Sequence, residues 1–180
     1  AQPLSVVDEP QAQSLQVHSG AIHFDRTGFD YGGSRQVING LDLQIKPGEK
    51  IGLIGPSGAG KSTLVNLLLR LYDINSGRIL IDGQDIAQVS QQSLRAQIGM
   101  ITQDTSLLHR SIRDNLLYGN PDASEDALLA AIHRARADEF IPQLSDPQGR
   151  TGLDAHVGER GVKLSGGQRQ RIAIARVLLK

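Results

Sequence analysis

Gly55-Pro-Ser-Gly-Ala-Gly-Lys-Ser62, with Thr63 directly after it, is the segment that leaves this chain the fewest choices of fold. Before it stands Ile51-Gly-Leu-Ile54, a short apolar run of the kind that forms a central strand covered on both faces. After it, Leu64, Leu67, Leu68 and Leu71 fall at helical spacing and make one apolar stripe. Strand, glycine loop and helix therefore follow without a gap, which is the context this loop requires. Gly58 and Gly60 let the backbone wrap so that successive amides aim at phosphate oxygens, and the helix start adds its positive dipole end. Lys61 supplies a full charge to the β- and γ-phosphates, and Ser62 offers a hydroxyl to Mg²⁺. A plain strand-to-helix turn needs neither the lysine nor the hydroxyl. Gly55, Pro56, Ser57, Gly58, Ala59, Gly60, Lys61, Ser62 and Thr63 are thus the candidate nucleotide-binding residues, with Lys61 also catalytic and Ser62 a metal ligand. Kinases, GTPases and many ATPases share such a loop, so it does not name the reaction.

The 180 residues suffice for one domain, at most two lobes, with a true core. Lys plus Arg and Asp plus Glu balance at 19 each, so bulk charge draws in no nucleic acid, and none is expected as a partner. With no cysteine there is neither a disulfide nor a thiolate metal site. No apolar run approaches the roughly 18 residues of a membrane span, and the start, AQPLSVVDEPQAQSLQ, lacks the pattern of a signal peptide. Residues 1–16, rich in Gln, Pro and Ser, read either as a linker from something upstream or as an ordinary terminal tail.

From Val17 to Ile45 the pattern is strand-like: Ile22 and Phe24 alternate with His23 and Asp25, and Leu41, Leu43 and Ile45 with Asp42 and Gln44. Arg78–Ile81 is a short strand between turn residues, Ser90–Gln97 a helix, and Ile98–Thr102 a second buried strand leading to Gln103. Between Ser106 and Pro147 the apolar spacing is mainly helical, with Ser124 as an N-cap ahead of Glu125 and Asp126.

A second glycine pair opens the last helix. In Leu164-Ser-Gly-Gly-Gln168 the Ser-x-x-Gln spacing is a capping box, but a cap does not need two glycines. Gly166 and Gly167 each cost the helix on the order of 1 kcal/mol relative to alanine. Either the junction is sharp, or an anion approaches bare amides there.

LSGGQRQR resembles the signature motif of the ABC (ATP-binding cassette) ATPases, a family that also carries a loop like GPSGAGKST. The likeness covers almost the whole chain after residue 16 and is strongest to the nucleotide-binding domain of exporter-type ABC transporters. It implies an α/β fold of the P-loop NTPase (RecA-like) type: a parallel sheet core, an N-terminal antiparallel β subdomain and an inserted α-helical subdomain, with the domain over 17–180 and the helical part over 104–163. It implies that Tyr31, in FDYGG, stacks on adenine, although by itself Tyr31 reads as a strand-edge tyrosine. It implies that Gln103 is the Q-loop glutamine, catalytic and a Mg²⁺ ligand, and that Ser165, Gly166, Gly167 and Gln168 bind the γ-phosphate of a nucleotide held by a partner cassette. Val157-Gly-Glu-Arg-Gly161 resembles the exporter loop that touches the membrane domain. The implied cofactors are ATP and Mg²⁺. The implied partners are a second cassette and a transmembrane permease domain fused upstream, at the cytoplasmic face of the cell (inner) membrane.

Family hydrolysis also needs a Walker B aspartate, a catalytic glutamate and a switch histidine, all downstream of the signature helix and beyond this sequence. The chain is therefore expected to be a fragment of a transporter subunit, inactive by itself as an ATPase. Two other classes compete: a non-transport ABC ATPase acting as a clamp in DNA repair or translation, and a P-loop kinase, which has no use for LSGGQ.

Overall fold

The computed structural model describes residues 6–32, 36–158 and 161–180. The chain forms two compact units, Ala1–Ile98 and Gly99–Lys180.

In the first unit, β1 (Ile22–Phe29), β2 (Ile38–Ile45), β3 (Ser76–Ile81) and β4 (Gln84–Asp85) make a sheet in the order β2-β1-β3-β4, antiparallel at each pairing. Ile22 pairs with Ile45 and Ile81, and Phe24 with Leu43 and Ile79. Because side chains alternate along a strand, this register gathers the apolar residues on one face and leaves His23, Asp25, Gln44 and Arg78 on the other. Helices α1 (Lys61–Leu68) and α2 (Gln91–Gln97) contribute Leu67 and Leu94 to the core with Phe24, Phe29 and Ile79. Gly77 is at φ 76° where β3 passes β1, and a Cβ there would stand 2.3 Å from the Arg26 carbonyl oxygen, so only glycine fits. Beyond β3, Asp82 accepts from the amides of His18, Ser19, Gly20 and Ala21 and from the Ser19 hydroxyl. The Ser19 hydroxyl and these amides hold its carboxyl well below the usual carboxylate range.

The described residues of the entry segment lie along this unit. Leu15 is 2% exposed, its amide donates to Ser93 Oγ, and Gln13 bridges to Val89. Asp8 pairs with Arg70, a buried guanidinium that also bonds Asp73 and the carbonyls of Val7 and Val89. A buried cation is tolerable only when so fully paired, and this set anchors the chain just past the end of α1.

Two strand expectations need correction. Ile51–Ile54 and Ile98–Thr102 form no ladder among the described residues. Ile51 and Leu53 line an apolar groove with Phe24, Leu43, Leu64 and Val65, while Ile54 is 99% exposed. The apolar runs are strand-competent, but a strand exists only through hydrogen bonds to a neighbour, and the described residues supply none. Among the described residues, the parallel part of the expected sheet accordingly forms no ladder, whereas the antiparallel part does.

The second unit is helical. Helices α3 (Ile112–Leu117), α4 (Glu125–Arg134) and α5 (Gly166–Leu179) bury Ile112, Leu116, Leu128, Ile132, Ile172 and Leu179 in one core. Ser124 and Ser165 cap their helices through the side-chain oxygen as expected from the sequence, and Ser111 caps α3 in the same way. Asn115, fully buried, donates to the carbonyls of Leu108 and Ser111 and accepts from the Leu108 amide and Arg176 Nη2. Arg176 Nε also donates to the Asn115 carbonyl, fastening α5 to α3 and to the segment before it.

Asp146 organises the connection toward Ala155. Its oxygens accept from the amides of Gln148, Arg150 and His156 and from Arg150 Nε at 2.7 Å. Burial pushes this carboxyl up, but the His156 amide, the Arg150 guanidinium and amide and the Gln148 amide together outweigh burial and hold it at about 2. A carboxyl depressed on folding stabilises the folded form above its unfolded value, near 3.9, and that contribution is lost as pH falls through the folded value. The amide resonances of Gln148, Arg150 and His156 are therefore expected to stay native at about pH 4 and to titrate together with one midpoint near pH 2. Independent midpoints, or titration near pH 4, would contradict the shared anchor.

Candidate nucleotide-binding site

The loop of residues 55–60 turns into α1 through glycines whose backbone no other residue adopts easily: Gly58 is at φ 81° and Gly60 at φ 85°. Gly60 also lacks room, since a Cβ would stand 3.0 Å from Ile38 Cδ1. The first-turn amides of α1 have no acceptor within the helix, so the loop offers unpaired donors beside a positive helix end. Lys61 turns its ammonium onto the Gly55 and Pro56 carbonyls at 2.8 and 2.7 Å. Both are neutral acceptors, and an anionic phosphate makes a stronger, charge-assisted partner for the same ammonium. Ser62 is exposed. Thr63 is buried, its hydroxyl 3.0 Å from that of Tyr31.

Tyr31 thus stands beside the phosphate loop, 54% exposed. Phe29 and Tyr72 meet its ring edge to face, with centroids 4.8 and 5.1 Å away, in the arrangement aromatic quadrupoles favour. The local pattern did not reveal Phe29, Tyr72 or Thr63 as its supports, because they come from β1, the stretch after α1, and α1 itself.

The remaining candidates belong to the second unit. Gln103 is exposed in an irregular segment and, among the described residues, hydrogen-bonds to none of Ser165, Gly166, Gly167 or Gln168. At the start of α5 the capping box is complete: Ser165 Oγ accepts from the Gln168 amide at 3.2 Å, and Gln168 Oε1 accepts from the Ser165 amide at 2.9 Å. The Ser165 hydroxyl keeps its proton to donate outward. Arg169 reaches back to the Leu164 carbonyl and stiffens the entry. Neither Gly166 nor Gly167 has positive φ, and a Cβ on either meets nothing within 4 Å. Gly119 and Gly161 differ: a Cβ there would meet backbone of Arg176 or His156 within 2.4 Å. Among the described residues, nothing in the fold requires the signature glycines. Of VGERG, Glu159 and Arg160 lie outside the described residues; Gly158 packs on His109.

A glycine-rich loop running into α1 beside the exposed Tyr31, and a separate capped helix start carrying two glycines, are the pattern of a nucleotide-binding domain of the P-loop class. The family profile described as ABC transporter matches residues 38–180. An uncharacterized ABC transporter ATP-binding protein of Haemophilus influenzae is 62% identical over 178 residues, 99% of this chain and 29% of its own length. An ATM1-type heavy metal exporter of Novosphingobium aromaticivorans is 47% identical over 98% of the chain and 28% of its own length. The human ATP-binding cassette sub-family B member 6 is 47% identical over 97% and 20%. The solved structure of a bacterial Atm1-family ABC exporter with ATP bound matches with a TM-score of 0.89 at 46% identity, covering 99% of this chain and 30% of that one. The chain belongs to the ABC transporter family, as an ATP-binding cassette of exporter type. It spans less than a third of the length of these relatives. The α/β fold of that family is its fold, and the clamp and kinase readings are not favoured.

Proposed function

We propose that this chain binds ATP with Mg²⁺ and contributes half of each of two composite sites that power export of a substrate across a membrane. The observation that carries the reading is the pair Gly166 and Gly167: among the described residues a side chain on either would meet nothing, and their absence leaves the Ser165 hydroxyl and the Gly166 and Gly167 amides open to a phosphate from outside. The phosphate loop is the complementary half. In a head-to-tail pair of cassettes, residues 55–63 of one copy and 165–168 of the other enclose one nucleotide, with Tyr31 against the base.

The residues fit the cofactor. The positive-φ glycines open the loop amides, Lys61 has an ammonium held only by neutral carbonyls, and Ser62 presents an exposed hydroxyl. Ser62 would hold Mg²⁺, an ion that prefers oxygen ligands; for Gln103 the same role rests on the family resemblance alone. Bound, the ion would supply positive charge against the phosphates. Lys61 supports the same charge from the protein side, and the Ser165 hydroxyl with its neighbouring amides donates to the γ-phosphate from the partner copy. Hydrolysis removes the group that both copies hold, which opens the pair and turns chemistry into motion.

The other parts of the proposal are a permease domain upstream of residues 1–16, a helical subdomain over 104–163 and a place at the cytoplasmic face of the cell membrane. No helix among the described residues is long and apolar enough to cross a membrane; the transport path is proposed to lie in that permease. The test is turnover in lipid vesicles carrying the whole transporter subunit of which this chain is a part. Expected is Mg²⁺-dependent release of free phosphate coupled to substrate movement; transfer of the phosphate to a small-molecule acceptor would overturn the reading.

A further inference from the structure

Among the described residues, one buried side-chain polar atom makes no hydrogen bond, His23 Nε2, and it belongs to the one His/Asp/Glu group close enough to hold a metal ion. The register explains the grouping. His23 and Asp25 are two apart on β1 and share its outer face, while β2 runs antiparallel with Gln44 opposite His23, which brings Asp42 next to them on the same face. One ligand atom from each of His23, Asp25 and Asp42 lies within 4.8 Å of the others. His23 Nε2 is 3.5 Å from Asp42 Oδ1, too poorly placed for a hydrogen bond, yet close to the separation of about 3.4 Å between neighbouring ligands of a tetrahedral ion with bonds of about 2.1 Å. A buried ring nitrogen without a partner is costly. An ion relieves that cost and the proximity of two carboxylates together.

We infer that His23, Asp25 and Asp42 form a binding site for a divalent transition-metal ion of the Zn²⁺ type on the outer face of the sheet, apart from the nucleotide site. One imidazole and two carboxylates are a mixed N/O set. It suits Zn²⁺, and the imidazole discriminates against Mg²⁺, which takes oxygen. The Asp42 side chain is 58% exposed, so an ion reaches the group from that side and water completes the coordination. Asp25 is already engaged: Oδ2 accepts from Arg78 Nε at 2.8 Å and Oδ1 from Arg26 Nε at 3.2 Å. The Arg26 side chain is 80% exposed and can swing away, freeing Oδ1. Arg78 then remains on Oδ2 as the outer partner that orients a ligating carboxylate.

The inference does not rest on the proposed transport function, and its test needs no ATP turnover. The tag-free full chain is titrated with Zn²⁺ by calorimetry in excess Mg²⁺. Expected is saturable binding of one ion per chain, weakened at least tenfold in His23→Gln and in Asp42→Asn, unchanged in His133→Gln, and tightened in Arg26→Ala, which removes the competing guanidinium. Absence of saturable binding, or wild-type affinity in His23→Gln, overturns the site. Should the sheet variants fail to fold, Arg26→Ala still decides, because its side chain lies in solvent: tighter binding supports the site, and unchanged or weaker binding overturns it.

Discussion

Lys61→Ala removes most of the affinity for ATP. The ammonium is the one full positive charge inside the phosphate loop sequence, and its contacts in the structure are two neutral carbonyls, Gly55 and Pro56. Charge-assisted hydrogen bonds contribute roughly 1.5–3 kcal/mol each, so calorimetry should record a loss of roughly 10- to 100-fold. Thermal stability without nucleotide should be unchanged, since the lost bonds are at the surface. Equal ATP affinity in the variant would remove the loop from the nucleotide site.

Ser165→Arg separates the two half-sites. ATP binding at the phosphate loop stays close to wild type, while dimerisation driven by a non-hydrolysable ATP analogue, followed by light scattering, is abolished. The bulk and length of arginine fill the opening that Gly166 and Gly167 keep clear. Losing the Ser165 cap costs α5 about 1 kcal/mol, which by itself could disturb the helix start. Ser165→Asp is the companion variant: aspartate caps as well as serine but sets a negative charge against phosphate, so dimerisation should again fail with α5 intact. Normal dimerisation in both variants would sink the cross-copy role of the signature.

These two experiments address features that were legible in sequence for a physical reason. Gly58 and Gly60 are required by backbone conformations open to few other residues, and Ser165 with Gln168 is a cap closed within four residues, so each can be recognised from its own short stretch. The alternation of Ile22 and Phe24 with His23 and Asp25 likewise forecast a strand with one apolar face, as found in β1. Residues 51–54 show the limit. Their composition suits a buried strand, yet pairing is a property of two segments, and the described residues hold no partner for this one.

What the sequence alone determined is the set of local devices: where the phosphate loop turns, where α4 and α5 begin, and which strand faces are apolar. These follow from φ preferences, caps and periodicity, which act over a few residues. What only the tertiary structure decided is which distant groups meet. Tyr31 finds Thr63 and Tyr72, Asn115 takes Arg176, and Asp8 neutralises Arg70. His23 and Asp25 come beside Asp42 because β1 and β2 pair in one register, and a slip of one residue would turn Asp42 to the opposite face. The two signature glycines stand between these cases: their presence is readable in the sequence, but that none of the described residues occupies the space they leave is known only from the folded molecule.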